Sequence, residues 1–254
     1  MTRILVTNDD GYQAEGIRAL TGELRALGEI VVVAPDREQS ATGHSLTLTR
    51  PLRMQRLEEG WYAVDGTPTD CVNLAVLSLL RDSPPDLVVS GINFGLNVGD
   101  DVTYSGTVSA TFEASLLGIP SIAFSQEVAE GFSFARSAEL AAAFVETVLG
   151  EAHPRDLLLN VNFPAGEAKG VIFTRLGKRV YQQSVIENVD PRGRQHYWIA
   201  GTPVCQQDPG TADAAIQDGY VSVTPLHLDL TAYRALDDLA ERLRGSRANG
   251  SDRS

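Results

Sequence analysis

Cysteine is scarce in this chain: only Cys71 and Cys205 occur in 254 residues. Cys71 falls in a helical pattern and Cys205 in a polar loop, which argues against a disulfide framework. Two cysteines among four histidines, with no CxxC pair, argue equally against a structural zinc site. No apolar run is long enough to span a bilayer. The N-terminal residues begin directly with a strand and lack the apolar centre of a signal peptide. Basic excess is missing too. A formal net charge of -12 does not suit a nucleic-acid polymer, whose binders carry a basic face. A phosphate ligand stays open, because a metal ion can invert the local field. The expectation is a cytoplasmic protein with neither a membrane nor a nucleic-acid partner, long enough for one large α/β domain.

Strand and helix patterns alternate through the first two thirds. Ile4 to Thr7, Ile30 to Ala34, Leu87 to Ser90, Ile122 to Ser125 and Leu157 to Val161 read as buried strands. Between them, Ile17, Leu20, Leu24 and Leu27 recur at helical spacing, with Gly28 as the expected stop. Thr67-Pro68-Thr69-Asp70 offers an N-cap, a proline at the first helical position and an acid two residues on. Gly106 to Leu117 and Ala135 to Leu149 are the remaining helices. This βαβ rhythm predicts an α/β fold with a doubly wound, mainly parallel sheet. Beyond Pro164 the style changes. Val171 to Thr174, Val180 to Val185 and Tyr197 to Ile199 are short runs separated by turns such as Asp190-Pro191-Arg192-Gly193, which fits a β-hairpin arm. Tyr220 to Thr224 returns as strand, and Thr231 to Leu243 reads as a final amphipathic helix. The expected organisation is a core over 1–164, an arm, returning strand and helix of the same unit over 165–245, and a disordered tail over 246–254.

Three polar clusters follow predicted strands, and in a doubly wound sheet such clusters converge on one rim. The first is Asn8-Asp9-Asp10-Gly11. Neighbouring side chains within a strand point to opposite faces, so the chain must leave the strand for both carboxylates to reach one point. Two acids there repel each other unless a cation or a shared proton compensates them, which suggests Mg²⁺, Mn²⁺ or Ca²⁺. The plainer reading makes one aspartate a helix cap and leaves the other solvated. The second cluster is Arg37 to Ser45, and the third runs from Ser90 through Asp101 to Thr107. A serine of the second and an asparagine of the third could complete an oxygen site. Ser105-Gly106-Thr107 starts a helix, where free N–H groups and the dipole favour an anion, although serine and threonine are also ordinary caps. His44 is either a loop hydrogen-bonder or an aid to proton transfer. Asp100 and Asp101 read as loop structure, and Tyr181, Tyr197 and Trp198 as braces of an arm or interface.

Taken together, NDDG, VVAPDREQSATGHS, GTPTDCV, SGINFGLNVGDDVTYSGTV, GIPSIAFS, NVNFP and GYVSVTPL closely resemble the survival protein SurE family, in family order from Ile4 to about Leu226. The resemblance implies a Rossmann-like fold and a metal-dependent phosphatase of nucleoside monophosphates, acting on 5′- and also 3′-monophosphates and polyphosphate. It implies one divalent cation per subunit held by Asp9, Asp10, Ser40 and Asn93. Asn97, Ser105, Gly106 and Thr107 then lie beside the phosphate. It also implies a homodimer or homotetramer built through the arm around DPRGRQHYW. On this reading Asp9, favoured over Asp10 by position, orients or deprotonates the attacking water. Attack by an aspartate itself is disfavoured, because the dehalogenase-type phosphatases that do so space their aspartates as Asp-x-Asp. The alternative from another class is a nucleotide- or metal-binding regulatory module without hydrolysis; a scaffold would leave the three rim clusters unexplained.

Overall fold

The computed structural model describes residues 2–151, 156–182, 185–199, 201–205, 208–236, 238, 239 and 241. Its strands are β1 (Arg3–Thr7), β2 (Glu29–Pro35), β3 (Met54–Glu58), β4 (Trp61–Val64), β5 (Leu87–Phe94), β6 (Ser121–Gln126) and β7 (Leu158–Phe163). They continue with β8 (Val171–Phe173), β9 (Arg179–Gln182), β10 (Val185–Val189), β11 (Gln195–Ile199), β12 (Thr202–Cys205) and β13 (Val221–Pro225). The helices are α1 (Glu15–Leu24), α2 (Pro68–Leu74), α3 (Gly106–Leu116), α4 (Ala135–Gly150) and α5 (Ala212–Gln217).

Nine strands form the main sheet, in the order β3-β4-β2-β1-β5-β6-β7-β13-β8. Every pairing from β4 across to β7 is parallel, whereas β3 and β13 enter antiparallel. The chain steps from β1 outward to β2 and later returns to lay β5 on the other side of β1. The crevice beyond the carboxyl ends of β1 and β5 is therefore a switch point, where open α/β sheets bind ligands.

Alternation along each strand builds two cores. Ile4, Val6, Leu87 and Val89 face α1 and α4 with Ile17, Leu20, Ala138 and Val145. Leu5, Val31, Val33 and Val88 face α2 and α3 with Cys71, Val72, Ala110 and Ala114. The start of α2 is a capping box: Thr67 Oγ1 accepts from the Asp70 N–H at 3.1 Å, and the Asp70 carboxylate accepts from the Thr67 N–H at 2.9 Å. Asp70 also accepts from the N–H and hydroxyl of Thr47, so one buried carboxylate fixes both the helix start and the preceding loop.

Several elements differ from the sequence reading. Helix α1 ends at Leu24, and Gly28 does not adopt a left-handed backbone. A Cβ on Gly28 would lie 2.3 Å from the Thr2 carbonyl oxygen, so close approach to β1 explains this glycine. Strand β3 has no counterpart in the sequence pattern because its residues are largely exposed and carry no buried alternation. The expected strand from Val180 to Val185 is divided between β9 and β10, with 183 and 184 outside the described residues. Antiparallel pairing of β10 with β11 and of β9 with β12 makes the hairpin arm. Its turn is closed by Asp190, whose Oδ1 accepts from the N–H groups of Arg192 and Arg194. Of the final helix, residues 233–236, 238, 239 and 241 are helical, and Leu236 and Leu239 are exposed. The tail over 246–254 lies outside the described residues. No helix among the described residues is long and apolar enough to cross a membrane.

Candidate active site

Immediately after β1 the chain turns sharply. Asn8 Nδ2 donates to the Gly11 carbonyl at 2.9 Å, and Gly11 takes a φ of +95°, which an L side chain would resist. This turn holds Asp9 and Asp10 at the rim. Asp9 is 5 % exposed and points to the start of α3, where Thr107 donates its hydroxyl to Asp9 Oδ1. The backbone N–H groups of Gly106 and Thr107 also face that carboxylate. Burial raises the Asp9 pKa above the ordinary carboxylate value despite these donors. A Cβ on Gly106 would stand 2.7 Å from Asp9 Cβ, so only glycine permits this approach.

Asp10 is less enclosed. Its Oδ2 accepts from the Phe94 N–H at 3.4 Å. Burial, then the neighbouring charge of Asp9, push its pKa up to about 6, with Glu38 adding to the repulsion. Two acids of raised pKa side by side are a site for a cation or a proton.

Asn93 reaches this point through an irregularity. The pairing of β5 with β6 shifts register between Ser90 and Asn93. Leu87 and Val89 face the α1 and α4 core, and so does Ile92, three residues on rather than two. The extra residue reverses the alternation. Asn93 consequently turns toward α3, where its Oδ1 lies 3.2 Å from the Thr107 hydroxyl, while its Nδ2 donates to the Gly95 carbonyl at 2.8 Å. An amide oxygen is thus left on the Asp9 side, which is the end that would face a hard cation.

The other expected residues are arranged differently. Ser40 is exposed and its hydroxyl donates to Glu38 Oε1 at 2.7 Å, not to either aspartate. Its loop is nonetheless tied to the site, because the Gln39 N–H donates to the Asp9 carbonyl at 2.7 Å. Ser105 caps α3, accepting from the Val108 N–H at 3.1 Å, which leaves its own proton available to donate. Asn97 is buried: Nδ2 donates to Ser125 Oγ at 2.8 Å and the backbone N–H to Asn162 Oδ1 at 2.9 Å. Its carbonyl accepts from Asn160 and Asn162 at 2.8 and 3.1 Å. Asn97 therefore anchors its loop to the ends of β6 and β7.

Reasoning on single motifs does not reach four contributors. Glu38 acts on Asp10, and its place two residues before Ser40 in a rim cluster was the available signal. Asn160 and Asn162 share one face of a buried strand, a polar pair at period two that needed a partner. Glu113 is nearly buried on α3 and binds His44 Nε2 at 2.7 Å and Asn73 Nδ2 at 2.8 Å, and the contact with His44 lowers its pKa. His44 thus fastens the second rim loop to α3. Asp101 fastens the arm, accepting from Arg179 at 2.7 Å and from the Tyr181 hydroxyl at 2.6 Å.

The chain is similar to known proteins over nearly its whole length. The family described as survival protein SurE matches residues 4–183. A protein of Myxococcus xanthus named 5′-nucleotidase SurE is 51 % identical, over 94 % of this chain and 92 % of its own. A Thermus thermophilus protein named 5′-nucleotidase SurE 1 is 50 % identical, over 96 % and 98 %. The crystal structure of the SurE protein from Aquifex aeolicus superposes with a TM-score of 0.84 at 49 % identity, covering 93 % of this chain and 97 % of that one. A family match over most of the chain, with relatives about half identical over nearly their whole length, makes the chain a member of the survival protein SurE family.

Proposed function

We propose that this chain is a divalent-metal-dependent phosphomonoesterase that hydrolyses nucleoside 5′-monophosphates to nucleoside and phosphate. The observation that carries the reading is the meeting of Asp9 and Asn93 with the N-terminus of α3, with Asp10 beside Asp9. Relatives about half identical over nearly their whole length bear the name 5′-nucleotidase, which supports the substrate class.

The residues fit a metal. The donors are hard oxygens from two carboxylates and an amide, and the influences on Asp10 are burial, two other acids and one backbone N–H, without a cationic side chain. Asp9, Asp10 and Asn93 would hold one Mg²⁺ or Mn²⁺, or Ca²⁺, with Ser40 joining from the loop pinned by Gln39. When bound, the ion supplies Lewis-acid polarisation of the phosphoryl group and a lowered pKa for bound water. Asp9 would orient the attacking water and accept its proton, the role its raised pKa suits. Ser105 keeps a hydroxyl proton to donate, and the N-terminus of α3 favours the negative charge that builds on the phosphoryl oxygens. Gly106 and Thr107 line the same end, and Asn97 sets the wall formed by its loop. Hydrolysis of 3′-monophosphates and short polyphosphate belongs to the same reading. The exposed faces of the arm, with Tyr197 and Trp198, support a homodimer or homotetramer. The buried free thiol of Cys71 accords with a reducing, cytoplasmic location.

The deciding experiment is a panel of 5′-monophosphates, 3′-monophosphates and polyphosphate with Mg²⁺, Mn²⁺ or Ca²⁺, repeated in EDTA. Phosphate release that EDTA abolishes and metal restores is expected. Nucleotide binding without release under any condition would instead establish a regulatory module.

A further inference from the structure

The register shift that turns Asn93 inward has a second effect one residue later. Phe94 is sent to the opposite side of β5 and is 56 % exposed, although its own N–H donates to Asp10. An exposed apolar ring is thus carried by a backbone position that touches the reacting centre. It is also braced. Phe94 meets Phe132 edge to face, with centroids 5.1 Å apart and planes at 69°. Phe132 in turn meets Phe134 at 5.1 Å and 86°, and Phe134 is 3 % exposed within the core. Three rings run from the interior to the site's rim. Tyr104, the other exposed aromatic beside the site, has no ring contact among the described residues to hold it. A ring held in place binds a flat partner with less loss of side-chain freedom.

Resting on the nucleotidase reading above, we propose that Phe94 is the platform on which the base of the nucleoside monophosphate stacks. Stacking uses the π-face that all bases share, so the platform confers preference for nucleotides over phosphorylated sugars without selecting one base strictly. Purines, with the larger face, gain more than pyrimidines. Phe132 and Phe134 act as positioning residues, since they touch Phe94 rather than substrate.

The test compares kcat/KM of the full-length, metal-loaded protein for adenosine 5′-monophosphate, uridine 5′-monophosphate and ribose 5-phosphate, which lacks a base. Phe94→Ala should lower the ratio for adenosine 5′-monophosphate over ribose 5-phosphate about tenfold, and the ratio for uridine 5′-monophosphate by less. Phe94→Trp should restore or exceed the wild-type ratio. Thermal melting checks that both variants fold, which the exposure of Phe94 favours. Unchanged ratios in Phe94→Ala overturn the platform and leave the nucleotidase intact. An equal loss on all three substrates, with or without a change in oligomeric state, also overturns it. A wild-type protein that hydrolyses ribose 5-phosphate but no nucleotide overturns both readings together.

Discussion

Thr107 donates its hydroxyl to the carboxylate of Asp9, joining the first turn of α3 to the end of β1 across 98 positions of sequence. The contact is possible only because the residue before Thr107 has no side chain. It makes the helix start and the acidic turn one unit, so a disturbance of either is felt by the other.

Substituting Gly106 by alanine tests that unit. The added methyl would stand 2.7 Å from Asp9 Cβ and 2.9 Å from Asp9 Oδ2, so Asp9 must move. Displacement of a reacting group by about 1 Å costs on the order of a hundredfold in rate, and Gly106→Ala should lower kcat/KM by at least about that much. Thr107→Val, which removes only the donor, should lose less. Steady-state kinetics at saturating Mg²⁺ rank the two, and near-normal turnover by Gly106→Ala would contradict the packing described.

Asp10 gives a pH-dependent signature. Its pKa rises from 3.8 to about 6 on folding, so the native state holds this proton more tightly than the unfolded chain does. Stability contributed by protonation is complete below about pH 4 and is withdrawn as pH climbs to about 6. In EDTA, Asp10→Asn should match wild type in melting temperature at the acid end. Above pH 6 the variant should be the more stable, by on the order of 1–2 kcal/mol allowing for solvent screening. Excess Mg²⁺ should reverse the order by stabilising only the wild type. A melting-temperature difference independent of pH would show that Asp10 does not carry the strain.

The asparagine clasp around Asn97 predicts a ranking. Asn162→Ala removes both the acceptor for the Asn97 N–H and one donor to its carbonyl, whereas Asn160→Ala removes one donor. A buried backbone group left without a partner costs about 1–3 kcal/mol, so urea unfolding should show the larger loss for Asn162→Ala. Equal losses would mean that the two amides are not separate supports.

Much of this frame is legible in the sequence because it rests on local rules. Apolar strands, the Thr67 to Asp70 cap and the Ser105 helix start are written in adjacent residues. The meeting of Asp9 with the start of α3 follows from the doubly wound order. What escapes depends on distant partners or on a single displaced residue. Nothing in Leu87 to Phe94 announces that the alternation reverses after Ser90, and that reversal decides where Asn93 and Phe94 point. Helix α5 has six residues, too few to show a period. The contacts of Glu113 with His44 and Asn73 join three separate elements, and each residue taken alone reads as surface chemistry.

The antiparallel pairing of β13 with β7 bears on how the protein is made. Every residue of β7 is buried, yet the strand that covers its open edge is synthesised about sixty residues later. While the arm is emerging from the ribosome, the parallel sheet ends in an unpaired, largely apolar edge of the kind that recruits foreign strands. Its last strands join only once residue 225 is free, so the newborn chain depends on its final quarter to be safe from aggregation.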